Sequence, residues 1–218
     1  MLIVLEGVDS SGKATQAARV YEFLKKEGKN VMKITFPDYE SQSSALVKMY
    51  LNGEFGGSAA DVSPYAASAF YAVDRYASYS VKWGEFLKAG GTVIADRYVT
   101  SNMIHQAAKI ENMDEKNRFL DWVYDFEYEK LGLPVPNHVI FLDMPPKFAA
   151  KLMGGRKNKM DGGDVLDIHE KDVEYLENAY KNAVYVAEKY GWQRVRCAEG
   201  DIRQIDDITR EIIKIINL

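Results

Sequence analysis

The stretch Gly7-Val8-Asp9-Ser10-Ser11-Gly12-Lys13-Ala14 follows an apolar run at residues 2–5 and constrains this chain more than any other segment. Its spacing is that of a phosphate-cradling loop at every position but the last, where Ser or Thr is usual and Ala14 stands. The glycines let the backbone curl so that several N–H groups converge on phosphate oxygens. The helix expected next points its positive N-terminus at the same anion, and Lys13 adds a point charge for the outer phosphates. Gly7, Val8, Asp9, Ser10, Ser11, Gly12, Lys13, Ala14 and Thr15 are therefore the candidate triphosphate-binding residues. Such a loop works only between a buried strand and a helix, so the N-terminus alone predicts an α/β fold.

Ala14 removes the hydroxyl that normally ligates Mg²⁺. Thr15 lies about 100° further round a helix and is a poor substitute. A cation at this loop must lean on Asp9, Asp96, water and the phosphates themselves.

The rest of the chain alternates short β-branched runs with longer helical patterns. Residues 31–36, 92–95, 139–142 and 193–197 read as further strands. Residues 15–27, 44–51, 64–89, 101–110, 115–131, 146–153, 168–190 and 205–216 read as helices. Strands that are apolar throughout are buried on both faces, as in a parallel sheet covered by helices. The prediction is one domain over residues 1–218, with a parallel five-stranded sheet and helices on both faces. In such sheets ligands gather at the carboxyl ends of the strands, where Gly7, Phe36, Asp96 and Asp143 lie. Residues 154–163 are a glycine-flanked basic stretch that reads either as a solvated loop or as a lid, spanning 154–165, that closes over phosphates.

Composition narrows the partners. With 28 Lys+Arg against 32 Asp+Glu the net charge is −4, which argues against a broad nucleic-acid surface. It leaves room for a local basic pocket. No apolar run approaches a bilayer span, and the N-terminus lacks the basic region of a signal peptide. The single cysteine, Cys197, excludes an intramolecular disulfide and a Cys-based zinc site. A reducing, cytoplasmic setting is expected.

Two further clusters carry chemistry. Asp96-Arg97-Tyr98 ends the third strand, where an acid can hold a metal's water shell and a buried Arg needs an anion. That anion is a ligand phosphate on one reading and a neighbouring acid on the other. Phe36, Tyr39, Phe70 and Tyr71 supply aromatic surface, with Arg75 one helical turn beyond Tyr71. They read as core, or as a site in which a planar base stacks on a ring and receives hydrogen bonds at its edge.

Taken in order, Glu6 to Lys13, Phe36-Pro37, Tyr71-Ala72-Val73-Asp74-Arg75 and Asp96-Arg97-Tyr98-Val99-Thr100-Ser101-Asn102 resemble the thymidylate kinases. These are nucleoside-monophosphate kinases of the phosphate-loop class. The resemblance implies phosphorylation of dTMP to dTDP by ATP with Mg²⁺. It implies that Phe36 and Tyr71, or Phe70, flank the base, and that Arg75 and Asn102 bond its edge. It further places Arg97 on the acceptor phosphate, Asp9 and Tyr39 near its sugar and phosphate, and Ser101, His105, His169 and Glu170 around the same ligand. His105 and His169 stand where tyrosine is common, which leaves sugar and base selectivity open. The family takes its catalytic arginine from the loop or the lid. Ser10 and Ser11 occupy the loop, so Arg156 is expected to serve with Asp9, Lys13 and Arg97, and Asp9 and Asp96 are the expected metal-side acids. A homodimer is implied as well, and the small-residue stretch 66–69 would allow close helix packing between or within protomers. The readings left open are a kinase for another pyrimidine acceptor and a degenerate nucleotide-binding module.

Overall fold

The computed structural model describes residues 1–153 and 173–216. β1 (Leu2–Glu6) leads through the phosphate loop into α1 (Lys13–Lys26). β2 (Val31–Thr35) is followed by α2 (Ala45–Leu51), α3 (Pro64–Ser78) and α4 (Gly84–Lys88). β3 (Thr92–Asp96), α5 (Val99–His105) and α6 (Met113–Tyr124) come next, then β4 (His138–Asp143) and α7 (Pro146–Met153). The chain continues with α8 (Val173–Lys189), β5 (Gln193–Arg196), β6 (Ala198–Glu199), β7 (Asp201–Ile202) and α9 (Ile205–Ile216).

β2-β3-β1-β4-β5 is the strand order of the five-stranded sheet, and every neighbouring pair is parallel. Alternate side chains of a strand point to opposite faces. Leu2 and Val4 of β1 accordingly enter one core layer, with Val93, Met103, Phe119 and Leu120. Ile3 and Leu5 enter the other, with Val20, Leu142, Ile208 and Ile212. Both faces of the inner strands β1, β3 and β4 are thus apolar, which is why they read as continuous hydrophobic runs. The outer strands depart from that expectation: Lys33 and Thr35 of β2 and Arg194 and Arg196 of β5 are exposed, as charged edges generally are.

α7 and α9 have the predicted bounds, and α1 begins earlier than expected, at Lys13. Residues 64–89 form a near-continuous helix whose middle, Tyr79–Trp83, is widened to π-helical hydrogen bonding. Gly84 makes the widening possible, since a Cβ there would stand 2.6 Å from the Tyr79 carbonyl oxygen. The predicted 115–131 helix is likewise α6 followed by a π-helical Asp125–Lys130. That change of pitch turns the adjacent residues Glu127 and Tyr128 inward together. β6 and β7, a short antiparallel ribbon, were not predicted.

α9 packs on α1, the helix that carries the phosphate loop. Gln16 Nε2 donates to the Ile205 carbonyl (3.2 Å), and the Thr209 hydroxyl donates to Gln16 Oε1 (2.7 Å). Ala67 and Ser68 of the small-residue stretch are fully buried within the monomer. Among the described residues no helix is long and apolar enough to cross a membrane.

Candidate active site

The phosphate loop leaves β1 through two backbone conformations that explain its sequence. Gly7 has φ 151°, and a Cβ on it would lie 2.7 Å from Ser11 Oγ and 2.8 Å from the Leu142 carbonyl oxygen. Gly12, at φ 89°, precedes α1 in the left-handed region that glycine enters without penalty. Ser10 is left-handed too, at φ 58°, a conformation that costs a non-glycine residue about 1–2 kcal/mol. Strain of this kind persists where surrounding structure imposes it, commonly at functional sites. α1 starts with no side-chain cap and no acid in its first turn, so its N-terminal amides are left for an anion. Lys13 is buried, with Nζ donating to the carbonyls of Gly7 (2.9 Å) and Val8 (2.7 Å). Ala14 and Thr15 are exposed on the helix.

Arg97 brings the end of β3 to this loop. Its Nη2 donates to Asp9 Oδ1 at 2.6 Å, and its Nη1 bonds His105 Nε2 at 2.8 Å and Ser101 Oγ at 3.4 Å. Glu6 Oε1 lies 3.7 Å from Nη1. Burial works against the guanidinium charge, but Asp9, Glu6 and Asp96 outweigh it and push its pKa further up. Arg97 itself is left-handed, at φ 70°. Glu6 is fully buried and accepts from the Gly7 N–H (3.0 Å), the Thr100 hydroxyl (2.8 Å) and the Ser101 hydroxyl (2.9 Å). One carboxylate thus ties the start of the loop to the first turns of α5. Arg97 has Asp9 as its close acidic partner; the carboxylate of Asp96 has no hydrogen bond among the described residues.

A second buried carboxylate, Glu127, joins Arg75 and Asn102. Arg75 Nε and Nη2 bond Glu127 Oε2 and Oε1 at 2.6 and 2.8 Å, and Asn102 Nδ2 donates to the same Oε1 at 2.8 Å. Desolvation opposes the Arg75 charge, and Glu127 more than restores it, so its pKa is raised. Arg75 Nη1 and Asn102 Oδ1 are the polar atoms of the pair not engaged by described residues. Phe36 is buried against Tyr98, with ring centroids 6.1 Å apart. Phe70 and Tyr71 are half-buried and pack on Tyr50, as Tyr39 packs on the same cluster. Asp74 ties this wall to the turn after β2, accepting from the Asp38 N–H (2.8 Å) and the Ser43 hydroxyl (2.6 Å).

The structure therefore joins Asp9, Arg97, Ser101 and His105 directly, and Arg75 with Asn102 through Glu127. Successive residues of α5, Thr100 and Ser101 on Glu6 and Asn102 on Glu127, connect the two networks. Arg156, His169, Glu170 and the 154–165 stretch lie outside the described residues. Sequence reasoning gave no role to Glu6, Thr100, Glu127 or Tyr175. Glu6 had a signal, an acid closing an apolar strand. Glu127 had none, because it lies in the charged segment Asp125, Glu127, Glu129 and Lys130, where nothing local sets one acid apart.

A family model described as thymidylate kinase matches residues 5–207. The chain is 32% identical over 186 residues to the thymidylate kinase of Mycobacterium tuberculosis, spanning 85% of this chain and 84% of the relative. It is 28% identical over 218 residues to the probable thymidylate kinase of Thermococcus onnurineus, spanning 99% and 97%. A solved thymidylate kinase from Candida albicans, described as having broad substrate specificity, aligns with a TM-score of 0.72 at 25% identity. That alignment covers 99% of this chain and 90% of the other. A loop for nucleotide phosphates, an arginine presented beside it, and matches of this extent together establish that the chain belongs to the thymidylate kinase family.

Proposed function

We propose that the chain transfers the γ-phosphoryl group of ATP in line to the phosphate of dTMP, giving dTDP and ADP. The observation that carries this reading is the 2.6 Å bond between Arg97 and Asp9, which holds a phosphate-seeking guanidinium at the edge of the nucleotide loop. Phosphoryl transfer asks little covalent chemistry of a protein, so positioning and charge stabilisation do most of the work. Arg97 holds the acceptor phosphate, whose oxygen is already an anionic nucleophile and needs no general base. Lys13 and the loop amides hold the β- and γ-phosphates. Arg156 is assigned the transferring group, because the loop offers only serines at Ser10 and Ser11 and an arginine offers a planar fork. Phe36, Phe70 and Tyr71 are assigned the faces of the base, and Arg75 Nη1 and Asn102 Oδ1 its edge. Tyr39, Ser101, His169 and Glu170 are assigned the acceptor's sugar and phosphate, and His105 serves the same phosphate through Arg97.

Thymidylate kinases use ATP with Mg²⁺, which neutralises charge on the phosphate oxygens when bound. The donors suit a largely hydrated ion. Among the described residues no three of His, Cys, Asp and Glu converge on one point, and Ala14 carries no hydroxyl. Mg²⁺ keeps several waters and takes phosphate oxygens readily, so Asp96 and Asp9 would hold its water shell.

A single domain with residues 154–165 as its lid, a homodimer and a cytoplasmic setting complete the proposal. The exposed Tyr65, Val73 and Tyr76 of α3 support the dimer as an apolar stripe, and light scattering in solution tests it. The function is tested by ADP release with dTMP, dUMP, AMP and GMP as acceptors. dTMP is expected to be preferred, with dUMP within about 10–200-fold, since a methyl-sized difference is worth about 1–3 kcal/mol in a pocket. Equal turnover of AMP or GMP would overturn the assignment of the base edge.

A further inference from the structure

We infer that His105, in its neutral form with the proton on Nδ1, is a positioning residue that aims Arg97 at the acceptor phosphate; the inference rests on the assignment of Arg97 above. Arg97 Nη1 lies 2.8 Å from His105 Nε2, and a guanidinium can only donate. Nε2 must therefore present its lone pair, which leaves the ring proton on Nδ1. The other side of the ring agrees. Tyr175, in the first turn of α8, sets its hydroxyl 3.3 Å from Nδ1 and 3.3 Å from the His105 carbonyl oxygen. The hydroxyl donates to the carbonyl and accepts from Nδ1–H, so one arrangement of hydrogens serves these three contacts. The rings of His105 and Tyr175 stack, with centroids 6.4 Å apart and planes 25° apart, which fixes the plane of the imidazole.

The carrier of this device is itself held. Asn182 Nδ2 of α8 donates to the carbonyls of Met103 (2.9 Å) and Ile104 (2.6 Å), fastening the last turn of α5. Ser101 and His105, four residues apart on α5, face Arg97 together. Among the described residues, the charged and titratable groups around the ring include Arg97 from the β3–α5 turn, Tyr175 from α8, and, across Arg97, Asp9 of the loop and Glu6 of β1. With Nη1 on His105 and Ser101 and one Nη2 hydrogen on Asp9, the Nε–H and the second Nη2–H of Arg97 have no partner among the described residues and are the donors left for a phosphate.

Nitrogen NMR of the histidine-labelled protein reads the tautomer directly, since the chain has only three histidines. A protonated Nδ1 and a bare Nε2 at His105 are expected; a proton on Nε2 would overturn the inference. Steady-state kinetics supply the second test. His105→Phe keeps the ring on Tyr175 but removes the acceptor, and is expected to raise KM for dTMP about 5–10-fold with kcat and KM for ATP changed less than about 2-fold. His105→Gln offers an amide oxygen near the place of Nε2 and is expected to recover most of that loss. A purely structural role predicts parallel changes in kcat and both KM values, or no rescue by Gln, and either result sinks the idea. Arg97→Ala is the control. If it leaves KM for dTMP unchanged, the assignment of Arg97 fails; if it raises KM and His105→Phe does not, only the role of His105 fails.

Discussion

Arg75 and Arg97 each meet a buried carboxylate, and they do so in different ways. Arg75 lays one edge of its guanidinium on both oxygens of Glu127, and the two side chains are 1% and 0% exposed. Arg97 makes single bonds to Asp9, Ser101 and His105, keeps 13% of its side chain exposed, and sits on a left-handed backbone. The first arrangement closes on one carboxylate, shared among the described residues only with Asn102, and leaves Nη1 as its outward donor. The second gathers partners from the loop and from α5 with single bonds, and has donors to offer as well. A guanidinium fixed by one bidentate partner serves the shape of a pocket. One suspended between several elements reports, and depends on, their meeting.

The largest effect expected from this contrast is on stability. Glu127→Ala leaves the Arg75 charge buried without compensation, which costs about 3–5 kcal/mol in urea denaturation. Arg75→Met with Glu127→Leu replaces the pair by apolar volume and is expected to recover most of that loss. If Glu127→Ala costs less than about 1 kcal/mol, the closed pair is no more than a surface contact.

Arg97→Ala is expected to invert the pattern. Catalytic efficiency toward dTMP falls about 10–150-fold, since a charge-assisted bond to phosphate is worth about 1.5–3 kcal/mol. Stability changes by less than about 1 kcal/mol, because Glu6 retains Thr100, Ser101 and the Gly7 N–H. A large loss of stability with intact turnover would erase the distinction between the two arginines.

Lys109 extends the comparison to a cation with no carboxylate partner among the described residues. Its Nζ donates to the Tyr50 hydroxyl (2.8 Å) and the Val62 carbonyl (3.3 Å), and burial pushes its pKa down to about 8. The unfolded value is about 10.4. Between those limits the unfolded chain binds the extra proton, so this site's contribution to stability rises with pH; below about pH 8 it is gone. Relative to Lys109→Met, the wild-type chain should gain at most about 1.4 kcal/mol per pH unit from pH 8 to 10. A flat difference would mean that Lys109 keeps its charge without a carboxylate, as the arginines do with one.

The same contrast explains what could be read from the sequence. β1, β3 and β4 were legible because both of their faces are buried, so no polar residue interrupts them. The loop, Arg97 and Arg75 were legible as motifs, since each sits at a strand end or a fixed helical spacing, whereas Asn102 came only with the family resemblance. The identity of their partners was not. Glu127 reaches Arg75 across 52 residues, through a π-helical turn whose pitch no 3.6-residue pattern anticipates. Tyr175 reaches His105 across 70 residues, which no local spacing encodes. The ribbon β6–β7 escaped because two-residue strands carry no periodicity.

The packing of α9 on α1 has a consequence for the order in which this enzyme becomes itself. β1 is made before either neighbour, β3 ending at Asp96 or β4 ending at Asp143. α1 in turn waits for Thr209 to bond Gln16 and for Ile208 and Ile212 to cover its apolar side. The nucleotide loop is thus translated early and seated late. While synthesis proceeds, the future centre of the sheet is an adhesive, unpaired strand, and shielding it falls to whatever the growing chain meets outside the ribosome.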